Sequence, residues 1–219
     1  MGTNAFEQLE RNRGMAATFN QALVECTRLI CEDVVRVYDF SGLRRIMDVG
    51  GGYGELLACI LKANPDASGV LFDLPHAIEG GRCHIEAAGL TSRCKFIEGS
   101  FFDSVPSGAD VYLLKNVIHD WNDDRSRLIL ENCRSAMGEG GLLLLVEEVL
   151  PDRLTVGAAH QAVAQSDLNM LVTLAGRERT EAEFRDLLAS TGFRVTRILP
   201  AGATFSVIEA LLSEAGPGS

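Results

Sequence analysis

The run Ile46-Met47-Asp48-Val49-Gly50-Gly51-Gly52-Tyr53-Gly54 constrains this chain more than any other stretch. An apolar segment that ends in an acid and then a glycine cluster reads as a strand turning tightly toward a ligand. Glycines in such a turn let the backbone approach a bound group closely, and a carboxylate at the end of the next strand can grip ribose hydroxyls. That second acid is Asp73, which closes Gly69-Val70-Leu71-Phe72-Asp73. The pair predicts a nucleotide-type cofactor site.

The spacing narrows the cofactor. Dinucleotide sites favour G-x-G-x-x-G, whose third glycine allows close helix packing. Counted from Gly50, the second glycine fits at Gly52 but the third position holds Glu55. A glutamate there opposes a pyrophosphate at a helix N-terminus, where anions are otherwise welcome. An adenosine cofactor with a cationic centre and no phosphate fits better, and S-adenosylmethionine has that description.

The rest of the chain supplies the alternation of a doubly wound α/β sheet. Phe19, Leu23, Cys26, Ile30, Val34 and Val37 recur at helical steps and predict an amphipathic helix ending near Asp39 to Gly42. Strands are expected from Ile46, over Gly69 to Asp73, near Lys95 to Glu98, over Asp110 to Lys115 and over Leu142 to Val149. Helices are expected over Glu55 to Ala63, from Pro75, from Asp123 or Asp124, and around Gln161 to Leu174. Thr180-Glu181-Ala182-Glu183 is a capping-box sequence for one more helix, stopped by Gly192. Phe193 to Ile198 and Ser206 to Leu211 read as a closing pair of strands, so the sheet is expected to be mostly parallel with an antiparallel member. The organisation expected is a helical segment over 1–42, a cofactor-binding domain over 43–212 and a flexible tail over 213–219.

Composition excludes several function classes. With 219 residues, 47% hydrophobic and 23% charged, the chain suits one globular domain with a full core. A formal net charge of -10 is the wrong sign for tracking phosphates, so nucleic acid is not expected as a partner. No apolar run reaches membrane-span length and no signal-peptide core is present, which predicts a cytoplasmic protein. The cysteines Cys26, Cys31, Cys59, Cys83, Cys94 and Cys133 show no C-x-x-C pairing and are expected to be buried reduced thiols. Cys83 beside His84 is a weak metal hint that lacks a second ligand pair, and no metal is expected.

Four motifs occur in order: Asp48-Val49-Gly50-Gly51-Gly52, Phe72-Asp73-Leu74-Pro75-His76, Lys115 through His119-Asp120-Trp121, and Gly176-Arg177-Glu178-Arg179-Thr180. From about Phe6 to about Leu212 the chain resembles the catalytic domain of S-adenosylmethionine-dependent O-methyltransferases of the plant caffeate and bacterial polyketide and phenazine type. The resemblance implies a Rossmann-like, mostly parallel seven-stranded sheet preceded by an N-terminal helix. It implies cofactor contacts at Asp48, Gly50, Gly52, Asp73, Leu74, Lys115 and Trp121. After the third strand the family carries Gly-Asp and a large apolar residue, whereas this chain has Gly99-Ser100-Phe101-Phe102. Ser100 therefore stands where an acid usually meets the adenine amino group, and Phe101 covers the adenine face.

His119 matches the family's catalytic base, and an imidazole suits abstraction of a phenolic proton because it titrates near neutrality. Glu147 and Glu178 match the carboxylates that orient it and stabilise its charged form. Glu148 rivals Glu147, since neighbours on a strand face opposite ways, and the register from Pro151 favours Glu147. For Glu178 the alternative is a salt bridge with Arg177 or Arg179. His76, His84 and His160 read as surface or structural. By the same resemblance Phe19, Leu23 and Met170 line an aromatic acceptor pocket, although as apolar helix residues they serve equally as core.

The implied reaction passes a methyl group from S-adenosylmethionine to a hydroxyl of a small aromatic or polyketide-type acceptor. The alternative keeps the cofactor site without methyl transfer, as in relatives of hydroxylase or decarboxylase type or in a non-catalytic module. Family members usually carry an N-terminal helical dimerisation domain, most of which this sequence lacks. A monomer or an atypical oligomer is the expectation, with a separate N-terminal subunit as a further option.

Overall fold

A computed structural model describes residues 11–151, 153 and 155–213; the proposed tail beyond Ser213 and the first ten residues lie outside the described part. The chain begins with α1 (Arg13–Val37), capped by Asn12, whose side chain accepts from the Met15 amide. It continues as β1 (Arg45–Val49), α2 (Glu55–Ala63), β2 (Ser68–Asp73), α3 (Pro75–Ala87), β3 (Cys94–Glu98) and β4 (Val111–Lys115). Then come α4 (Asp123–Ala136), β5 (Leu142–Leu150), α5 (Ala158–Leu174), β6 (Arg179–Thr180), α6 (Glu181–Ser190), β7 (Phe193–Ala201) and β8 (Phe205–Leu212).

Seven strands run in the order β3-β2-β1-β4-β5-β8-β7, and the two-residue β6 pairs with β5 off that path. Strands β1 to β5 pair in parallel, while β8 is antiparallel to both β5 and β7. This is the expected doubly wound, mostly parallel sheet. Its strand order reverses between β1 and β4, which is where ligands of open α/β sheets bind at the carboxyl ends. The burial patterns explain the ordering of the last pair. Residues Ser206 to Ala210 of β8 are all buried, as a central strand requires, whereas β7 carries Arg194, Arg197 and Pro200 and forms the edge.

Helices on both faces bury two apolar clusters. One joins Val49, Tyr112, Leu114, Trp121, Leu145 and Phe184; the other joins Val34, Ile46, Leu57, Leu61, Leu71 and Leu144. No helix among the described residues is long and apolar enough to cross a membrane.

Two expectations need correction. The buried face of α1 is Ala16, Asn20, Val24, Thr27, Cys31 and Val34, not the stripe running from Phe19 through Cys26. Phe19 is 38% exposed, Leu23 is half-buried and Cys26 is exposed. Polar residues can occupy that face because each satisfies itself locally. The Asn20 amide donates to the Ala16 carbonyl at 3.0 Å, and the Thr27 hydroxyl donates to the Leu23 carbonyl at 2.7 Å. The thiols also differ from expectation. All six cysteines are free, but only Cys31, Cys94 and Cys133 are buried, Cys59 is half-buried, and Cys26 and Cys83 are exposed.

Candidate active site

The glycine loop follows β1 without a break in the sheet ladder, since the Gly50 amide donates to the Phe72 carbonyl at 2.8 Å. Gly50, Gly52 and Gly54 all have positive φ (69°, 59° and 78°), which excludes ordinary side chains on backbone grounds alone. Space excludes them too. A Cβ on Gly51 would lie 2.4 Å from Asp48 Cγ, and one on Gly50 would lie 3.0 Å from Val117 Cγ2 and 3.1 Å from Phe101 Cε1. The loop is therefore a cradle walled by Asp48, Phe101 and the turn that begins at Val117.

Asp73, at the end of β2, holds the loop from the other side. Its Oδ2 accepts from the Gly52 amide at 2.7 Å and its Oδ1 from the Leu74 amide at 2.6 Å. Burial raises its carboxyl, and those two amides pull it back down. Each oxygen keeps further acceptor capacity, so the carboxylate can still receive hydroxyls. Asp48 is the opposite case. It is buried, its Oδ1 has no hydrogen-bond partner among the described residues, and its carboxyl is pushed up to about 7 by burial and by nearby Asp73, with Lys115 opposing.

Other residues expected to contact the cofactor cluster around this cradle. Phe101, Phe102 and Trp121 form an aromatic group with ring centroids 4.8 Å (Phe101–Phe102), 4.8 Å (Phe102–Trp121) and 6.3 Å (Phe101–Trp121) apart. The Ser100 hydroxyl oxygen accepts from the Phe102 amide at 3.2 Å, so it shapes the turn that presents Phe101. Lys115, at the end of β4, has its ammonium pushed down by burial while Glu147, Cys26, Asp48 and Asp120 favour its charge.

His119 lies in a 3₁₀ turn (Ile118–Asp120) that follows β4. Asn116 makes the turn possible by adopting φ 53°, a conformation asparagine tolerates. Glu147 of β5 then accepts from the Val117 and Ile118 amides at 3.0 and 2.8 Å through Oε1, and its Oε2 lies 4.0 Å from His119 Nδ1. Glu147 is fully buried, and its carboxyl is raised by burial and by Glu178 against the pull of His119 and the two amides. Glu148 points elsewhere, to the Thr204 hydroxyl at 2.9 Å. Of the two glutamates, Glu147 is the one beside His119.

Glu178 also faces His119. Its Oε1 lies 2.9 Å from His119 Nδ1 and accepts from the Ser166 hydroxyl at 2.8 Å. The arginines beside it are engaged elsewhere, Arg177 with Glu183 and Arg179 with Asp123. Asp120 completes the ring of acids, its Oδ1 3.3 Å from His119 Nε2. Burial pushes His119 toward the neutral form, yet Glu147, Glu178 and Asp120 outweigh it and raise the imidazole to about 9. Asp120 is itself raised to about 7, by burial first, with His119 opposing.

Sequence reasoning passes over the residues that hold this turn in place. Arg179 is 1% exposed and donates to the Ile118 carbonyl at 3.0 Å, the Trp121 carbonyl at 2.9 Å and Asp123 Oδ1 at 2.8 Å. Gly176 abuts the turn so closely that a Cβ there would lie 2.1 Å from the His119 carbonyl oxygen. The Arg177 amide donates to that same oxygen at 2.9 Å. Met170 enters through its backbone, its carbonyl accepting from the Gly176 amide at 3.2 Å and ending α5 beside the turn. Asn20 of α1 is a further omission: its Oδ1 would lie 3.2 Å from a Cβ on Gly52. Phe19 and Leu23 flank it in sequence.

Comparison with known proteins agrees with this geometry. A family model described as an O-methyltransferase domain matches residues 1–194. The chain is 42% identical over 209 residues to phenazine O-methyltransferase PhzM of Lysobacter antibioticus, an alignment covering 95% of this chain and 60% of that protein. It is also 42% identical over 213 residues to the O-demethylpuromycin-O-methyltransferase of Streptomyces alboniger, covering 95% of this chain and 56% of that one. The solved structure of NcsB1, an O-methyltransferase from neocarzinostatin biosynthesis, holds S-adenosylmethionine and 2-hydroxy-5-methyl naphthoic acid. It superposes with a TM-score of 0.88 at 33% identity over 96% of this chain and 62% of its own. The chain thus spans less than two thirds of the length of these relatives. On the family match and these identities, the chain belongs to the O-methyltransferase domain family.

Proposed function

We propose that this chain methylates a hydroxyl of a small aromatic or polyketide-type acceptor with S-adenosylmethionine as donor and His119 as general base. The observation that carries the reading is the junction of two structures. The turn bearing His119 starts at Val117, whose Cγ2 would lie 3.0 Å from a Cβ on Gly50, so the base adjoins the cofactor cradle.

The residues present suit that cofactor. The glycine cradle admits a group that a Cβ would displace, Asp73 can accept ribose hydroxyls, and Phe101 offers a ring face to the adenine. The unpartnered Asp48 oxygen and the acids around Lys115 suit a cationic ligand. Gly50, Gly52, Leu74, Ser100 and Trp121 complete the cofactor side of the reading. When bound, S-adenosylmethionine supplies an electrophilic methyl group.

His119 takes the proton of the acceptor hydroxyl, and the cradle and turn would hold acceptor and cofactor side by side, a positioning that contributes a large share of such rate enhancements. Glu178 and Glu147 orient the imidazole and stabilise its protonated form, as carboxylates do for catalytic histidines. Phe19, Leu23 and Met170 are the candidates for the acceptor's wall. The names of the relatives support an aromatic acceptor.

The test incubates the purified protein with labelled S-adenosylmethionine and a panel of phenols and polyketide-like hydroxyl compounds, read by mass spectrometry. A product heavier by one methyl is expected from the wild type, with the rate lowered about 10²- to 10⁴-fold in His119→Ala. Cofactor binding with no methylated product from any acceptor counts against the reading and favours a non-methylating role.

A further inference from the structure

Helices α1, α2 and α3 meet at a spot that the proposed reaction does not use. Glu55 and Cys59 are four residues apart on α2 and so share a face. Cys31 comes from α1 and His84 from α3. The sulfurs of Cys31 and Cys59 are 2.8 Å apart, and these two atoms and a Glu55 carboxylate oxygen all lie within 4.8 Å of one another. Glu55 Oε2 meets His84 Nε2 at 2.5 Å, and Glu55 Oε1 accepts from Arg28 Nε at 3.2 Å.

We propose that Cys31, Cys59 and Glu55 bind one thiophilic divalent cation of the zinc type, with His84 holding the carboxylate from behind. Two thiolates and a carboxylate are a soft, anionic donor set that selects such ions over magnesium or calcium. The imidazole on Glu55 is the outer-shell contact that ligating carboxylates require. The half-buried Cys59 and Glu55 leave the fourth position to water.

Charge and geometry both allow it. Three anionic ligands and one dication leave a single negative charge, which the Arg28 guanidinium faces. Arg28 also pairs with Glu25 at 2.8 Å, so it can release the Glu55 oxygen that the ion takes. Zinc–sulfur bonds of about 2.3 Å in tetrahedral array place two sulfurs about 3.8 Å apart. The ion therefore spreads the sulfur pair by about 1 Å, within reach of side-chain rotation. The Cys83-His84 doublet lacks a second ligand pair in sequence; the fold supplies one from α1 and α2, while Cys83 itself is exposed.

The test strips the full chain with a chelator, keeps it reduced, and adds cobalt(II) as the probe. One cobalt per chain is expected, with a thiolate-to-cobalt charge-transfer band and the strong visible bands of four-coordinate cobalt. Cys59→Ser is expected to abolish the charge-transfer band, His84→Gln to weaken affinity about tenfold, and Cys83→Ser to leave both unchanged. Zinc X-ray absorption on the wild type needs no variant, and two sulfur neighbours at about 2.3 Å are expected. A reduced protein that takes up no metal overturns the proposal, as do a band that survives Cys59→Ser and a zinc shell of nitrogen and oxygen alone. Oxidation of Cys31 and Cys59 to a disulfide in a protein that binds no cobalt when reduced overturns it in favour of a redox pair.

Discussion

Three carboxylates surround His119, and they set the pH at which it can accept a proton. An imidazole raised to about 9 by Glu147, Glu178 and Asp120 is mostly protonated at neutrality, so a reaction that needs it neutral accelerates as the pH rises. The pH profile of kcat/KM is therefore expected to climb through an apparent pKa above the 6.5 of a free imidazole. Removing one acid weakens the stabilisation of the imidazolium. Glu178→Gln is accordingly expected to move the limb to lower pH, even as loss of orientation reduces the plateau. A variant profile superimposable on the wild type, or shifted upward, would show that Glu178 does not set the titration. At this scale His119 and Glu178 were legible because they stand in motifs, Glu147 came through the resemblance and the register from Pro151, and Asp120 lies in the same His-Asp-Trp run as His119. Arg179 was legible as a residue but not as a contact. Its targets are backbone carbonyls 58 and 61 positions away, and no local pattern records them.

The elements explain how two distant motifs act as one. The segment Gly176–Thr180 ends in the short strand β6 beside β5, and it clamps the His119 turn through Gly176, the Arg177 amide and Arg179. Gly176 is the sensitive point, since a methyl group there would meet backbone that cannot swing aside. Gly176→Ala is expected to cost about 1–3 kcal/mol of stability through overpacking. It is also expected to lower kcat by more than that stability loss accounts for, because the displaced atom belongs to His119 itself. Chemical denaturation and steady-state kinetics on the same preparation check it, and full activity at reduced stability would place the clamp outside catalysis. The sequence carried the helix that follows, because Thr180 and Glu183 form the capping box that their spacing implies. It did not carry the turn before it, whose conformation is imposed by tertiary donors. The buried face of α1 escaped for a related reason: Asn20 and Thr27 satisfy their own polar groups on the helix and so occupy positions that a hydropathy pattern assigns to solvent.

Across the whole molecule, the alternation of strands and helices was legible because parallel strands buried on both faces are long apolar runs bounded by glycine, proline and acids. The placement of β8 between β5 and β7 was not claimed, although the arginines and proline of β7 mark it as the edge. The same architecture brings Asp48 of β1 close to Asp73 of β2, and Asp120 of the turn after β4 close to Glu147 of β5, and that arrangement has a cost in stability. Asp48 shows it most plainly, being buried, short of a partner and raised to about 7 by burial and by Asp73. A carboxyl raised on folding binds its proton more tightly in the folded state. The stability linked to that proton is fully present below the unfolded value near 3.9, and it is lost as the pH rises through about 7. Asp48→Asn removes the titration. The variant is expected to match the wild type in Tm near pH 4 and to exceed it progressively toward pH 8, by about 2–4 °C or more for a domain of this size. Under the proposed function it is also expected to bind S-adenosylmethionine more weakly, the familiar exchange of stability against a site built for its ligand. Thermal melts across that range, with and without cofactor, separate the two effects. A Tm gap that does not widen with pH would mean that Asp48 is not the strained group, and an undiminished cofactor-induced rise in the variant would remove it from the cofactor side.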